Sequence, residues 1–282
     1  VIPDGRSDSE PRETSAADGY RLSYRRWSPG GDPVGTVVIL NGIMSHSAWV
    51  TPLADPIVAA GWRLVGADRR GTGHNDEARG DAPSAQTVID DAVTIAAGEA
   101  PAGTPLVLVG WCWGAVLGLN ALRPLQRRRG AVDRFVMIAP GLHPTAAVRE
   151  AAKRHDAAAA AAGAVEDAPV VATPIEDTMF TAGPYLDGFI RRDDRRLRHV
   201  TPRYRAIMNK LAFGAVGALR RLDVPTRVLL ATDDPATDNA ATRKALARCP
   251  EGVVSIVEVA SGHGMQFDVP QVVAAHIVAA TI

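Results

Sequence analysis

Long apolar runs are missing from this chain. Nothing approaches the roughly 18 residues of a membrane-spanning helix, and the most apolar stretch, 272–282, is short and interrupted by His276. Cysteine is scarce. The two present, Cys112 and Cys249, are too few for a disulfide framework or a multi-cysteine metal site. Net charge is missing as well: 31 Lys+Arg balance 31 Asp+Glu, which argues against a basic nucleic-acid binder and against a self-repelling acidic tail. The 26 Gly and 20 Pro among 282 residues stay below the roughly 25–30% typical of disordered chains. The opening Val1-Ile2-Pro3-Asp4-Gly5-Arg6 is polar and begins without an initiator Met, and it is not expected to be a signal peptide. The expectation is a soluble, cytoplasmic protein with no nucleic-acid or membrane partner, no metal and no cofactor.

What is present fits a packed globular protein. Hydrophobic residues make up 46% and charged residues 22%, and the length allows a large core. Residues 1–17 are polar and read as a loosely held arm. Beyond them, short β-branched runs at 36–40, 63–67, 106–109, 134–138, 226–230 and 254–259 read as buried parallel strands. Helical stretches near 51–60, 84–99, 113–127, 240–248 and 269–281 alternate with them. That alternation predicts an α/β fold with a mostly parallel sheet and helices on both faces. Residues 140–224 break the rhythm: they hold helix-like pieces at 146–164, 184–199 and 203–221 but no convincing strand. They read as a helical lid inserted into a core of 18–139 and 225–282.

The segment that carries chemistry is Leu106-Val107-Leu108-Val109-Gly110-Trp111-Cys112-Trp113-Gly114-Ala115. A buried strand runs into Gly-x-Cys-x-Gly and a helix follows at once. In the serine form of this pattern the central residue sits on a sharp, strained strand-to-helix turn and projects over the sheet's carboxyl edge. Glycines are needed two positions to either side because side chains there would strike neighbouring backbone. The helix N-terminus favours negative charge on the thiol.

From about residue 19 onward the chain resembles the α/β-hydrolase superfamily. The resemblance rests on this elbow and on Asn41-Gly42-Ile43-Met44-Ser45-His46, which follows a strand where the family carries His-Gly before its oxyanion loop. It rests also on Asp68-Arg69-Arg70-Gly71-Thr72-Gly73-His74, on the acids after strand 226–230, and on His263 after the last strand. The resemblance implies a Cys112–His263–Asp nucleophile system, with Cys112, acid and His in the order expected for the fold. Asp234 and Asp233 compete for the acid; registering Asp238-Asn239 on the family's downstream loop favours Asp234. It further implies an oxyanion hole from the N–H groups of Ile43 and Trp113, with Asp68 and Arg70 bracing loops. His263 would accept the thiol proton and return it to the leaving group. Met44, His46, Trp111, Met179 and Phe180 are candidates for lining the substrate pocket; the other histidines and Cys249 read as structural or solvated.

Cysteine at the elbow shifts the expected chemistry. A serine converts a thioester into an oxygen ester, downhill, whereas cysteine exchanges one thioester for another at nearly equal energy and keeps the acyl group transferable. The chain therefore resembles the acyl- and aminoacyl-shuttling transferases and thioesterase-like enzymes of natural-product assembly lines, acting on carrier-protein or CoA thioesters. An ester or lactone hydrolase and a non-catalytic scaffold of the same fold are the rival readings. Five arginines between Arg191 and Arg198 offer a docking face for an acidic carrier protein.

Overall fold

The computed structural model describes residues 9–279. The core opens with strands β1 (Glu10–Ser15), β2 (Arg21–Trp27) and β3 (Thr36–Leu40), then helix α1 (Ala54–Ala59), β4 (Arg63–Ala67) and α2 (Ala85–Glu99). It continues through β5 (Leu106–Trp111), α3 (Trp113–Arg129) and β6 (Arg134–Ile138). The inserted segment holds α4 (Ala146–Ala161), β7 (Val171–Ala172), α5 (Pro184–Gly188), β8 (His199–Val200) and α6 (Pro202–Leu219). The core resumes with β9 (Thr226–Ala231), α7 (Asn239–Leu246), β10 (Val254–Val259), α8 (Met265–Asp268) and α9 (Pro270–Val278).

Eight strands form one sheet in the order β1-β2-β4-β3-β5-β6-β9-β10. The β1–β2 and β2–β4 pairs are antiparallel and the rest parallel. This is the α/β-hydrolase architecture, with the insertion between β6 and β9. Strands β3, β5 and β6 are buried along their whole length, as continuous Val/Ile/Leu runs covered by helices on both faces must be. Register lines up their carboxyl ends: Leu40 pairs with Gly110, and Trp111 with Ile138. The residues just beyond these strands therefore share one rim. Among the described residues no helix is long and apolar enough to cross a membrane.

Two expectations need correction. Residues 10–15, read as part of a loose arm, form the edge strand β1, whose Glu10 takes ion pairs from Arg12 and Arg26. Charged side chains of this kind are how exposed sheet edges avoid pairing with other chains. Residues 1–8 lie outside the described residues. In the lid, 184–199 is not one helix. It breaks into α5, a 3₁₀ turn at 190–192, an irregular stretch, and β8 paired with β7. Arg196 is buried against Asp177 and Arg191 pairs with Asp187, so the arginine run does not form a single solvated face.

The lid is tied down at defined points. Thr201 caps α6 by accepting the Tyr204 N–H at 2.9 Å, with Pro202 at the first helical position. The core residue Asp81 accepts the Thr201 hydroxyl at 2.7 Å and the Arg203 guanidinium. Asp156 of α4 holds Arg205 of α6, and Asn120 of α3 donates to the Leu211 carbonyl at 2.9 Å. Asp81→Ala leaves the Thr201 hydroxyl and Arg203 unpaired and should lower unfolding stability by about 1–3 kcal/mol. A denaturant titration checks this, with loosening of α6 visible as faster amide exchange.

Candidate active site

The turn from β5 into α3 is made by Cys112, with φ +52° and ψ −119°. A side chain rarely adopts this conformation, and it costs on the order of 1–3 kcal/mol. The flanking glycines are obligatory here. A Cβ on Gly114 would lie 1.9 Å from the Leu40 carbonyl oxygen, and one on Gly110 would lie 2.4 Å from the Ala115 Cα. The close fit of α3 against the ends of β3 and β5 thus sets the position of the sulfur.

His263, in the loop after β10, is fully buried. Its Nδ1 lies 3.0 and 2.9 Å from the two carboxylate oxygens of Asp234, after β9. Asp234 also accepts the Ala236 N–H at 2.8 Å, the Thr237 N–H at 3.0 Å and the Thr237 hydroxyl at 2.6 Å. Burial works against the Asp234 charge. The hydrogen bond and charge of His263, with the Thr237 and Ala236 donors, outweigh it and hold the carboxyl below its usual range. Asp233 points elsewhere: its side chain is exposed and accepts the Thr232 hydroxyl.

The Nε2 of His263 has no hydrogen-bond partner among the described residues; the Cys112 sulfur is close enough for its charge to act on the ring. Burial disfavours the charged ring. The negative charge of the sulfur, with the hydrogen bond and charge of Asp234, pushes the His263 pKa up to about 10. Such an arrangement keeps the imidazole protonated beside the Cys112 sulfur. The ring is clamped by Trp111, 6.0 Å away and donating its indole N–H to the His263 carbonyl at 3.1 Å, and by Phe180 at 5.8 Å.

Beside the sulfur lies the 41–43 loop. Arg69 donates to the carbonyls of Asn41 at 2.9 Å, Gly42 at 2.6 Å and Ile43 at 2.6 Å. Its guanidinium also sits 5.2 Å over the Trp113 ring. Pinning the Gly42 carbonyl to one side turns the Ile43 N–H of the same trans peptide to the other. The Trp113 N–H belongs to the first turn of α3, whose amides have no intrahelical acceptor. Asn41, standing where the family carries His, donates to the Ala67 carbonyl at 2.9 Å and so braces the loop from behind.

A family model described as Hydrolase_4, serine aminopeptidase, S33, matches residues 31–267. The chain belongs to this α/β-hydrolase family. Solved structures similar to this hydrolase include a soluble variant of monoglyceride lipase from Saccharomyces cerevisiae. That match has 15% identity, 100% of this chain and 99% of that chain covered, and a TM-score of 0.81. A monoacylglycerol lipase from Paleococcus ferrophilus matches with 16% identity, 91% and 98% coverage and a TM-score of 0.71. A thioesterase domain from the curacin biosynthetic pathway matches with 15% identity, 96% and 99% coverage and a TM-score of 0.63. An uncharacterised abhydrolase domain-containing protein of Dictyostelium discoideum is 28% identical over 104 residues, 37% of this chain. The chain spans only 11% of that relative's length. The family is named for serine; in this hydrolase the residue at the elbow is Cys112.

A cavity of about 370 Å³ opens over Cys112, bordered by Ile43 and Trp113 and roofed by α4 and α6. Leu142, Val148, Ile175 and Met208 make its walls apolar, while Arg149 and Lys153 bring positive charge to it. Five residues expected to line the pocket sit elsewhere. His46 is buried against Asp193, 3.0 Å from a carboxylate oxygen. Met44 faces a separate surface depression, Trp111 and Phe180 back the His263 ring, and Met179 lies outside the cavity wall. Arg69, Thr237 and the lid walls escaped the sequence reading. Arg69 could have been found from its place beside Asp68 in the turn, but the lid walls left no local signal.

With Cys112 present the His263 ring should hold its proton to about pH 10, whereas Cys112→Ala removes the facing charge and lets burial draw the pKa down. Imidazole NMR across pH 5–11 checks this: unchanged titration in the variant contradicts the pairing.

Proposed function

We propose that this hydrolase acts on acyl thioesters through a covalent Cys112 acyl-enzyme, releasing the acyl group to water or to a second thiol. The observation that carries the reading is the strained elbow cysteine set against a buried His263–Asp234 pair. The Cys112 sulfur attacks the acyl carbon and forms a C–S bond. The oxyanion is received by the Ile43 and Trp113 N–H groups; losing one such donor typically costs about 10²–10³ in rate. As the tetrahedral state collapses, the bond to the leaving thiol breaks and that thiol takes the proton from His263. The imidazole then accepts a proton from water or an acceptor thiol, which attacks the acyl-enzyme and frees Cys112. Asp234 orients the ring and balances its charge.

The cavity supports the same reading. Apolar walls suit an acyl chain, and Arg149 and Lys153 suit an anionic group such as the phosphate of a pantetheine arm. For an acidic carrier, the exposed Arg191 and Arg198 border a depression that shares Ile175 with the catalytic cavity. One observation favours a second reading, small-molecule ester hydrolysis: the same apolar walls accept an acyl chain whichever heteroatom it leaves.

Turnover of a thioester and an oxygen ester bearing the same acyl group separates the two. The thioester should be strongly preferred, acyl release should accelerate with added acceptor thiol, and Cys112→Ala should lower kcat by on the order of 10⁴–10⁶. Equal turnover of both substrates, indifferent to acceptor, favours the ester reading.

A further inference from the structure

Outside the catalytic cavity, the loop after β3 and the turn after β4 bring together three side chains that the active site does not use. One ligand atom each from His46, Asp68 and His74 lies within 4.8 Å of the others. They come from positions 46, 68 and 74, a spacing without a local motif. Asp68 is fully buried, His46 nearly so, and the His74 side chain is 35% exposed. The approach depends on Gly73, at φ +57°. A Cβ there would lie 2.5 Å from an Asp68 carboxylate oxygen and 2.7 Å from the His46 Cβ.

The hydrogen-bond pattern favours a ligand. His46 sets its Nε2 3.0 Å from Asp193, a lid carboxylate that also accepts the Trp49 indole N–H at 2.6 Å. That interaction places the His46 proton on Nε2 and leaves Nδ1 as a lone pair, engaged only by a long 3.4 Å contact from the Ala48 N–H. A carboxylate behind the far nitrogen is the usual support for a metal-bound histidine. The His74 Nδ1 is 3.1 Å from an Asp68 oxygen, close to the roughly 3.3 Å edge of a tetrahedral zinc site with bonds near 2.0–2.1 Å.

Charge points the same way. Asp68 and Asp193 are two buried carboxylates, and among the described residues neither meets a Lys or Arg side chain: Asp68 accepts the Ser47 and His74 N–H groups and faces the His74 ring, and Asp193 accepts the Trp49 indole and Arg195 backbone N–H groups and faces the His46 ring. Arg79 reaches this corner but donates to the carbonyls of Gly73 and Arg195. A divalent cation carries the charge needed to balance both acids. We infer that His46, Asp68 and His74 form a binding site for a divalent transition-metal ion of the Zn²⁺ type, with Asp193 as the positioning residue behind His46 and water in the open fourth place. Such an ion joins the lid segment at Asp193 to the loop that leads from Ile43.

Zn²⁺ itself is the probe, in a Cys112→Ala background so that the active-site thiol cannot compete. After EDTA treatment and re-addition of Zn²⁺, elemental analysis should find one ion per chain. The melting temperature should rise by about 5 °C at a hundredfold excess over Kd. His74→Ala, at the half-exposed corner, should abolish both effects while leaving the metal-free melting temperature near its parent's. Asp193→Asn should weaken binding about 10–100-fold. If His74→Ala fails to fold, His74→Gln serves in its place. Lack of stoichiometric binding overturns the site, as does Zn²⁺ binding that survives the His74 substitutions.

Discussion

The chain reverses from β5 into α3 through one residue, and the rest of the site depends on how tightly that reversal is held. Gly114 lets α3 pack against the Leu40 carbonyl, Gly110 lets the helix fold back over the strand, and Cys112 absorbs the bend at φ +52°. Strain of this kind persists only where surrounding structure over-determines it. Here the surroundings are the fully buried parallel strands β3, β5 and β6, whose carboxyl ends are in register, so the sulfur rests on a tightly held part of the molecule.

Around that fixed point the remaining groups are placed by electrostatics as much as by packing. His263 is buried between an anionic carboxylate and the sulfur, and its charge holds both. Arg69 serves the other side, gathering three consecutive carbonyls so that the opposed amide is turned out. The lid adds an apolar roof with positive charge beside it. A protein of neutral overall charge thus sets a buried Asp234–His263 pair beside the elbow sulfur and brings Arg149 and Lys153 to the cavity over it.

Much of this was legible in the sequence, for reasons of locality. The six parallel strands each carry a short apolar or β-branched run, and the elbow is a five-residue pattern. Asp234 and His263 follow strands in an order that the fold dictates. β1 was hidden because Glu10-Pro11-Arg12-Glu13 carries the charge and proline of an exposed edge, which also resemble a loose arm. The role of His46 was hidden because its partner, Asp193, lies 147 residues away in a segment whose arginines suggested a surface. Cavity walls from α4 and α6 depend on how two lid helices lie over the sheet, and no local spacing encodes that.

The central claim is that the Cys112 sulfur carries the acyl group. The most direct measurement is the intact mass of the protein quenched in acid within the first turnover of an acyl thioester, followed by peptide mapping. One acyl mass on the peptide containing Cys112, absent from the Cys112→Ala variant, is the expected result. An adduct of equal yield on the variant, or turnover with no adduct at any time, contradicts it.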